Sequence, residues 1–76
     1  MRKHLALRRA AINAIRKKRL ERGLSQRALS DKLREHATYI YEIEAGQHAV
    51  RIEEFVAIAK GLDIDPHELL DEILKG

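Results

Sequence analysis

Seventy-six residues with 36% charged side chains and no cysteine make one small unit with a modest core, no disulfide and no thiolate metal site. The longest apolar run, FVAIA at 55–59, is too short to cross a membrane. The formal net charge of +3 hides an asymmetry: residues 1–34 carry twelve Lys/Arg and two acids, residues 35–76 three Lys/Arg and ten acids, and a basic half points to a polyanionic partner.

Glycines and the single proline divide the chain into helical lengths. The first helix is predicted over 4–22, with residues 1–11 as its N-terminal extension and Gly23 as its stop. Ile12, Ile15 and Arg19 share one of its faces at spacings of three and four. Ser25 is placed to cap a second helix, 26–33, that turns Ala28, Leu29 and Leu33 inward. The third spans 37–45, with Ile40 and Ile43 inward and Gly46 after it. The fourth, 51–60, has Ile52, Phe55, Val56 and Ala59 on its apolar side, Glu53 and Glu54 at its positive end, and Gly61 closing it. The fifth occupies 65–76, with Asp65 as N-cap, Pro66 at the first helical position and Glu68 placed for a capping box. The expectation is a compact all-α unit of five short helices spanning 1–76, in which helices two and three, residues 26–45, have the size of a helix-turn-helix. Helical corners of this kind also occur in bundles that bind nothing, so size alone leaves the function open.

The stretches RLERGLSQRALSDKL, YIYEIEAG and FVAIAKGLDIDPHELL, in this order and spacing, resemble the phage-repressor and Cro-like helix-turn-helix family, the XRE family of bacterial regulators. The resemblance covers roughly residues 12–74. It implies a lambda-repressor-like DNA-binding fold and a small cytoplasmic regulator, of bacterial or phage origin. Two positions depart from the pattern. Arg34 stands where the family usually has glycine in a left-handed turn, and Glu35 stands at a usually apolar site. Ser30 replaces a favoured alanine and is small enough to keep the helices close.

Three acids in and around the third helix need an account, because DNA repels carboxylates. Glu44, four residues after Ile40, and Arg19, four after Ile15, are charges on apolar faces, and such charges are normally buried together. An Arg19–Glu44 bridge between helices one and three is therefore expected, and the resemblance implies the same pair. Opposite Ile40 and Ile43, the outer face carries Ala37, Thr38, Tyr41 and Glu42 as candidate base readers. Glutamate can accept from the cytosine amino group, and alanine or threonine methyls can meet a thymine methyl. Glu35 is a candidate to bond the amides opening helix three.

Ser25, Gln26 and Arg27 at the start of helix two, with Tyr39, Gln47 and His48 flanking helix three, are candidate phosphate contacts. The resemblance implies that Gln26 grips a phosphate and braces helix three. It also implies two-fold dimers on palindromic half-sites about 34 Å apart. Leu62, Ile64, Leu69, Leu70, Ile73 and Leu74 form the expected dimer surface. A different use of the same fold would be an adaptor or antitoxin binding a protein partner, such as a toxin or another regulator. No catalytic residue, metal or cofactor is expected: the histidines at 4, 36, 48 and 67 are scattered, and HELLD lacks the second histidine of a zinc helix.

Overall fold

The computed structural model describes residues 4–75. Its helices are α1 (Leu5–Glu21), α2 (Gln26–Lys32), α3 (Tyr39–Glu44), α4 (Ile52–Gly61) and α5 (Pro66–Lys75). Each exists because one apolar stripe is covered by another helix. α1 lies against α5 and α3, α2 against α3, and α4 against α5. Ile15, Leu29, Ile40, Ile43, Ile58, Leu62 and Leu69 meet at the centre with no exposed surface.

The helix ends follow their local chemistry. The Ser25 hydroxyl accepts from the Ala28 amide at 2.9 Å, capping α2. Asp65 caps α5 by accepting from the His67 amide at 2.8 Å, while Glu68 faces Lys18 at 3.6 Å across to α1 instead of completing a capping box. At α4 the Glu54 carboxylate accepts from the Arg51 amide at 2.8 Å. This is half of a capping box, since arginine has no acceptor with which to supply the other half.

Four helices end alike: one residue turns left-handed and the next amide reaches back to the carbonyl five residues earlier. Gly23 and Gly46 do this at φ 69° and 77°, as their residue type allows. Arg34 (φ 59°) and Asp63 (φ 58°) do it without that freedom. The Glu35 amide donates to the Ser30 carbonyl at 3.0 Å, and the Ile64 amide to the Ala59 carbonyl at 3.0 Å. The turn of α2 thus keeps the left-handed geometry that its position implied, although arginine occupies it. Gly61 is not the stop of α4. It is buried inside the last turn, where a Cβ would stand 2.8 Å from a Leu33 methyl, so its role is close approach to α2.

Three further expectations change. α3 begins at Tyr39, leaving Ala37 and Thr38 in the turn ahead of it. Ile52 is 75% exposed, and Ile58 takes the inward place. Of the six residues expected to form a dimer surface, Leu62, Ile64, Leu69 and Ile73 are buried within the monomer, because α5 and its approach close the core over α1 and α4. Only Leu70 and Leu74 remain exposed.

A left-handed arginine costs about 1–2 kcal/mol, and glycine returns part of any gain as unfolded-chain entropy. Arg34→Gly should therefore stabilise the protein by up to about 1 kcal/mol and raise its melting temperature by a few degrees in a thermal circular-dichroism scan. A lower melting temperature would mean that the Arg34 side chain contributes more than its backbone strain costs.

Candidate nucleic-acid interface

The angle of α3 is set first by charge. Arg19 Nε donates to Glu44 Oε2 at 2.7 Å and Nη2 to Oε1 at 2.9 Å, a two-pronged bridge between residues only 7% and 6% exposed. Arg19 Nη1 donates to the Leu24 carbonyl at 2.9 Å. Gln26 Nε2 donates to Glu44 Oε1 at 3.0 Å, and Arg16 Nε approaches the same oxygen at 3.4 Å. Burial pushes the Glu44 carboxyl up, but bonds from Arg19 and Gln26, with the Arg19 charge, outweigh it and hold the group below the ordinary carboxylate value. The bridge expected from the two apolar faces is present.

Two further ties place the start of α3. The buried Ser30 hydroxyl donates to the Gln26 carbonyl at 2.9 Å and accepts from the Ile40 amide at 3.0 Å. Ser30, valued in the sequence only for its small size, caps an early amide of α3 from the neighbouring helix. Glu35 had been a candidate for this kind of work, but it is exposed and its amide serves the turn of α2. Tyr39 is 3% exposed and its hydroxyl donates to Glu54 Oε2 at 2.8 Å. Its ring meets those of His36 and His48 edge-on at centroid distances of 5.8 and 5.4 Å. Tyr39 thus anchors α3 to α4 and does not stand free on the surface as a phosphate contact. Burial and the Glu54 bond push its phenol well above the ordinary value. Glu54 is lowered to about 2, by the Arg51 amide first and then, against burial, by Tyr39 and His48.

With these ties in place, Ala37, Thr38 and Tyr41 are exposed and Glu42 is partly so. Thr38 Oγ1 donates to Glu42 Oε2 at 2.7 Å, and His36 Nε2 lies 3.0 Å from Glu42 Oε1. Those two bonds, Thr38 foremost, hold the Glu42 carboxyl below its ordinary value, so it stands ionised on the outer face. Ser25, Gln26 and Arg27 sit together at the start of α2, and Gln26 reaches α3 through Glu44. The Arg27 side chain is 72% exposed, 3.7 Å from Asp31. Gln47 is exposed beyond α3, while His48 is half-buried with Nε2 3.0 Å from Glu54 Oε2.

Two short helices locked at a fixed angle, with one face of the second left open beside polar groups of the first, define a helix-turn-helix protein. The family model described as helix-turn-helix, HTH_3, matches residues 15–69, and the chain belongs to this family, the Cro/C1-type or XRE DNA-binding transcriptional regulators. A crystal structure of a single-substitution mutant of the restriction-modification controller protein C.Esp1396I superposes with a TM-score of 0.86 at 30% identity, covering 92% of this chain and 93% of that one. The wild-type C.Esp1396I structure gives 0.84 at 30% identity, covering 91% of each chain. The clp gene regulator ClgR from Corynebacterium glutamicum gives 0.82 at 28% identity, covering 91% of this chain and 73% of that one. No curated protein matches the sequence significantly. The family is one of regulators and not of enzymes. No described helix is long and apolar enough to cross a membrane.

Removing Arg19 would leave Glu44 ionised and buried with fewer partners. Arg19→Ala should destabilise the fold by about 3–5 kcal/mol, read as a lower midpoint in urea denaturation. An unchanged midpoint would mean that the bridge is not what holds α3. Glu54 makes a pH-dependent contribution. Its folded value lies below the unfolded one, so the stabilisation is present above about pH 4.5 and is lost as pH falls towards about 2. Glu54→Gln should flatten the decline of melting temperature over that interval, and an identical acid profile would exclude this role.

Proposed function

We propose that the protein binds a specific double-stranded operator as a homodimer and acts as a small cytoplasmic repressor by occupying a promoter. The observation that carries this reading is the exposed Thr38–Glu42 pair, held in place opposite the buried Ile40 and Ile43. In a major groove this pair offers a carboxylate to a cytosine amino group, and the Ala37 and Thr38 methyls to thymine. Tyr41, half-exposed on the same face, completes the reading set. Ser25, Gln26, Arg27, Gln47 and His48 border that face and are assigned to the phosphate backbone, which positions a protein without reading sequence.

One six-residue helix meets too few base pairs for selectivity in a genome, and doubling through a two-fold axis answers that shortage. Leu70 and Leu74 on α5, at 43% and 66% exposure, are the two residues of the expected dimer surface that remain open for a contact between copies. The similarity to a restriction-modification controller and to a clp gene regulator supports a role in controlling transcription.

Selection of bound duplexes from a random DNA pool, followed by sequencing, tests the proposal. A palindrome with half-sites about 34 Å apart is expected. Glu42→Gln should change the preferred base at one position in each half-site and leave the others alone. Enrichment of no motif would overturn the operator reading and favour an adaptor that binds protein, and unchanged base preferences would remove Glu42 from the reading set.

A further inference from the structure

The basic side of α1 that carries Arg8, Arg9 and Arg16 is not absorbed by the reading face. It runs beside the last turn of α3 and leaves a cleft of about 380 Å³ lined by Arg8, Arg9, Arg16 and Asn13 on one side and Glu44 and Gly46 on the other. Three arginines face one carboxylate there, and that carboxylate is already matched by Arg19. The cleft therefore carries surplus positive charge.

Its arginines are oriented. Arg8 Nη2 donates to the Gly46 carbonyl at 2.7 Å, which fixes its guanidinium at the C-terminal end of α3. Arg16 spends Nε on Glu44 at 3.4 Å, and its side chain is 51% exposed. Each guanidinium has five N–H donors, so both keep most of their fork for another acceptor. Arg9 is exposed beside them. The location is informative as well. Glu44 Oε1, which Arg16 approaches, is the oxygen that receives Gln26, and Gly46 directly precedes Gln47. The cleft thus adjoins both groups of residues assigned to phosphates, through Glu44 to Gln26 and through Gly46 to Gln47.

We propose that this cleft is a further DNA contact, in which Arg9 and Arg16, with Arg8 bracing the wall, hold a backbone phosphate and extend the footprint along α1. Fork-shaped guanidinium pairs match phosphate oxygens in geometry as well as charge. The contact depends on the DNA-binding reading, adds affinity for every sequence alike, and does not alter base preference.

The test is fluorescence-anisotropy titration of the full chain against its selected operator and against mixed-sequence duplex over a range of salt. The variants are Arg9→Gln with Arg16→Gln, Arg9→Gln alone, and Arg16→Lys. The double variant should bind both duplexes more weakly by the same factor and lower the salt slope by about 2; Arg9→Gln alone should lower it by about 1. Arg16→Lys, which keeps the charge, should retain most of the affinity. Hydroxyl-radical protection should shrink at one edge of each half-site. Arg9→Gln does not touch Glu44, so it carries the test even where the double variant melts early. An unchanged slope and footprint, while Arg27→Ala still lowers the slope, would overturn the cleft contact and leave the DNA reading standing. A wild-type chain with no salt-dependent binding to either duplex would remove both.

Discussion

The Arg19–Glu44 bridge is the constraint on which the rest of the structure depends. Taking two charges out of water costs several kcal/mol per ion, and mutual attraction offsets this only when the geometry is good and the remaining lone pairs are used. Here they are: Glu44 Oε1 faces donors from Arg19, Gln26 and Arg16, and Oε2 receives Arg19 Nε. The bridge joins α1 to the last turn of α3 and fixes the rotation of that helix. A shift of one residue turns a helix by about 100°, which would put Tyr41 where Ile40 lies and carry the carboxylate away from its guanidinium. Fixing this one pair therefore decides which side chains face outward.

The pair was legible in the sequence because both members break an apolar stripe at helical spacing. So were the helix order, the Ser25 cap and the Asp65 cap, each of which depends on a short local pattern, whereas the left-handed turn at 34 was implied only by the family resemblance. The contents of the buried side of α4 were less legible. FVAIA is apolar at every position, so its periodicity could not say that Ile58 faces in, and Ile52 shares the spacing of Phe55, Val56 and Ala59 although it is exposed. The same ambiguity made the leucines and isoleucines of the C-terminal segment look like surplus. Whether such a stripe covers its own core or a neighbour depends on the tilt of α5 over α1, which no local pattern records.

Ser30 and Tyr39, and the bond from Tyr39 to Glu54, were not legible for a different reason, although the place of Glu54 at the start of α4 was. Each does its work through one long-range bond, between side chains or between a side chain and an amide, and each residue type is ordinary on a surface. Ser30 links α2 to α3, and Tyr39 links α3 to α4 through Glu54, which also begins α4. A phenol next to a helix that faces DNA reads naturally as a surface contact. Only the edge-on packing of its ring against His36 and His48 and its bond to Glu54 show that it belongs to the interior.

The length of α3 has a consequence of its own. Six residues are far below the roughly 12–15 at which an isolated helix becomes even marginal in water. Its shape is borrowed from α1 through Glu44, from α2 through Ser30 and from α4 through Tyr39. A piece of the chain lacking α1, α2 or α4 would lack one of these supports for α3. The outward face of α3 therefore depends on the complete fold, and loosening any one of its three supports would loosen that face with it.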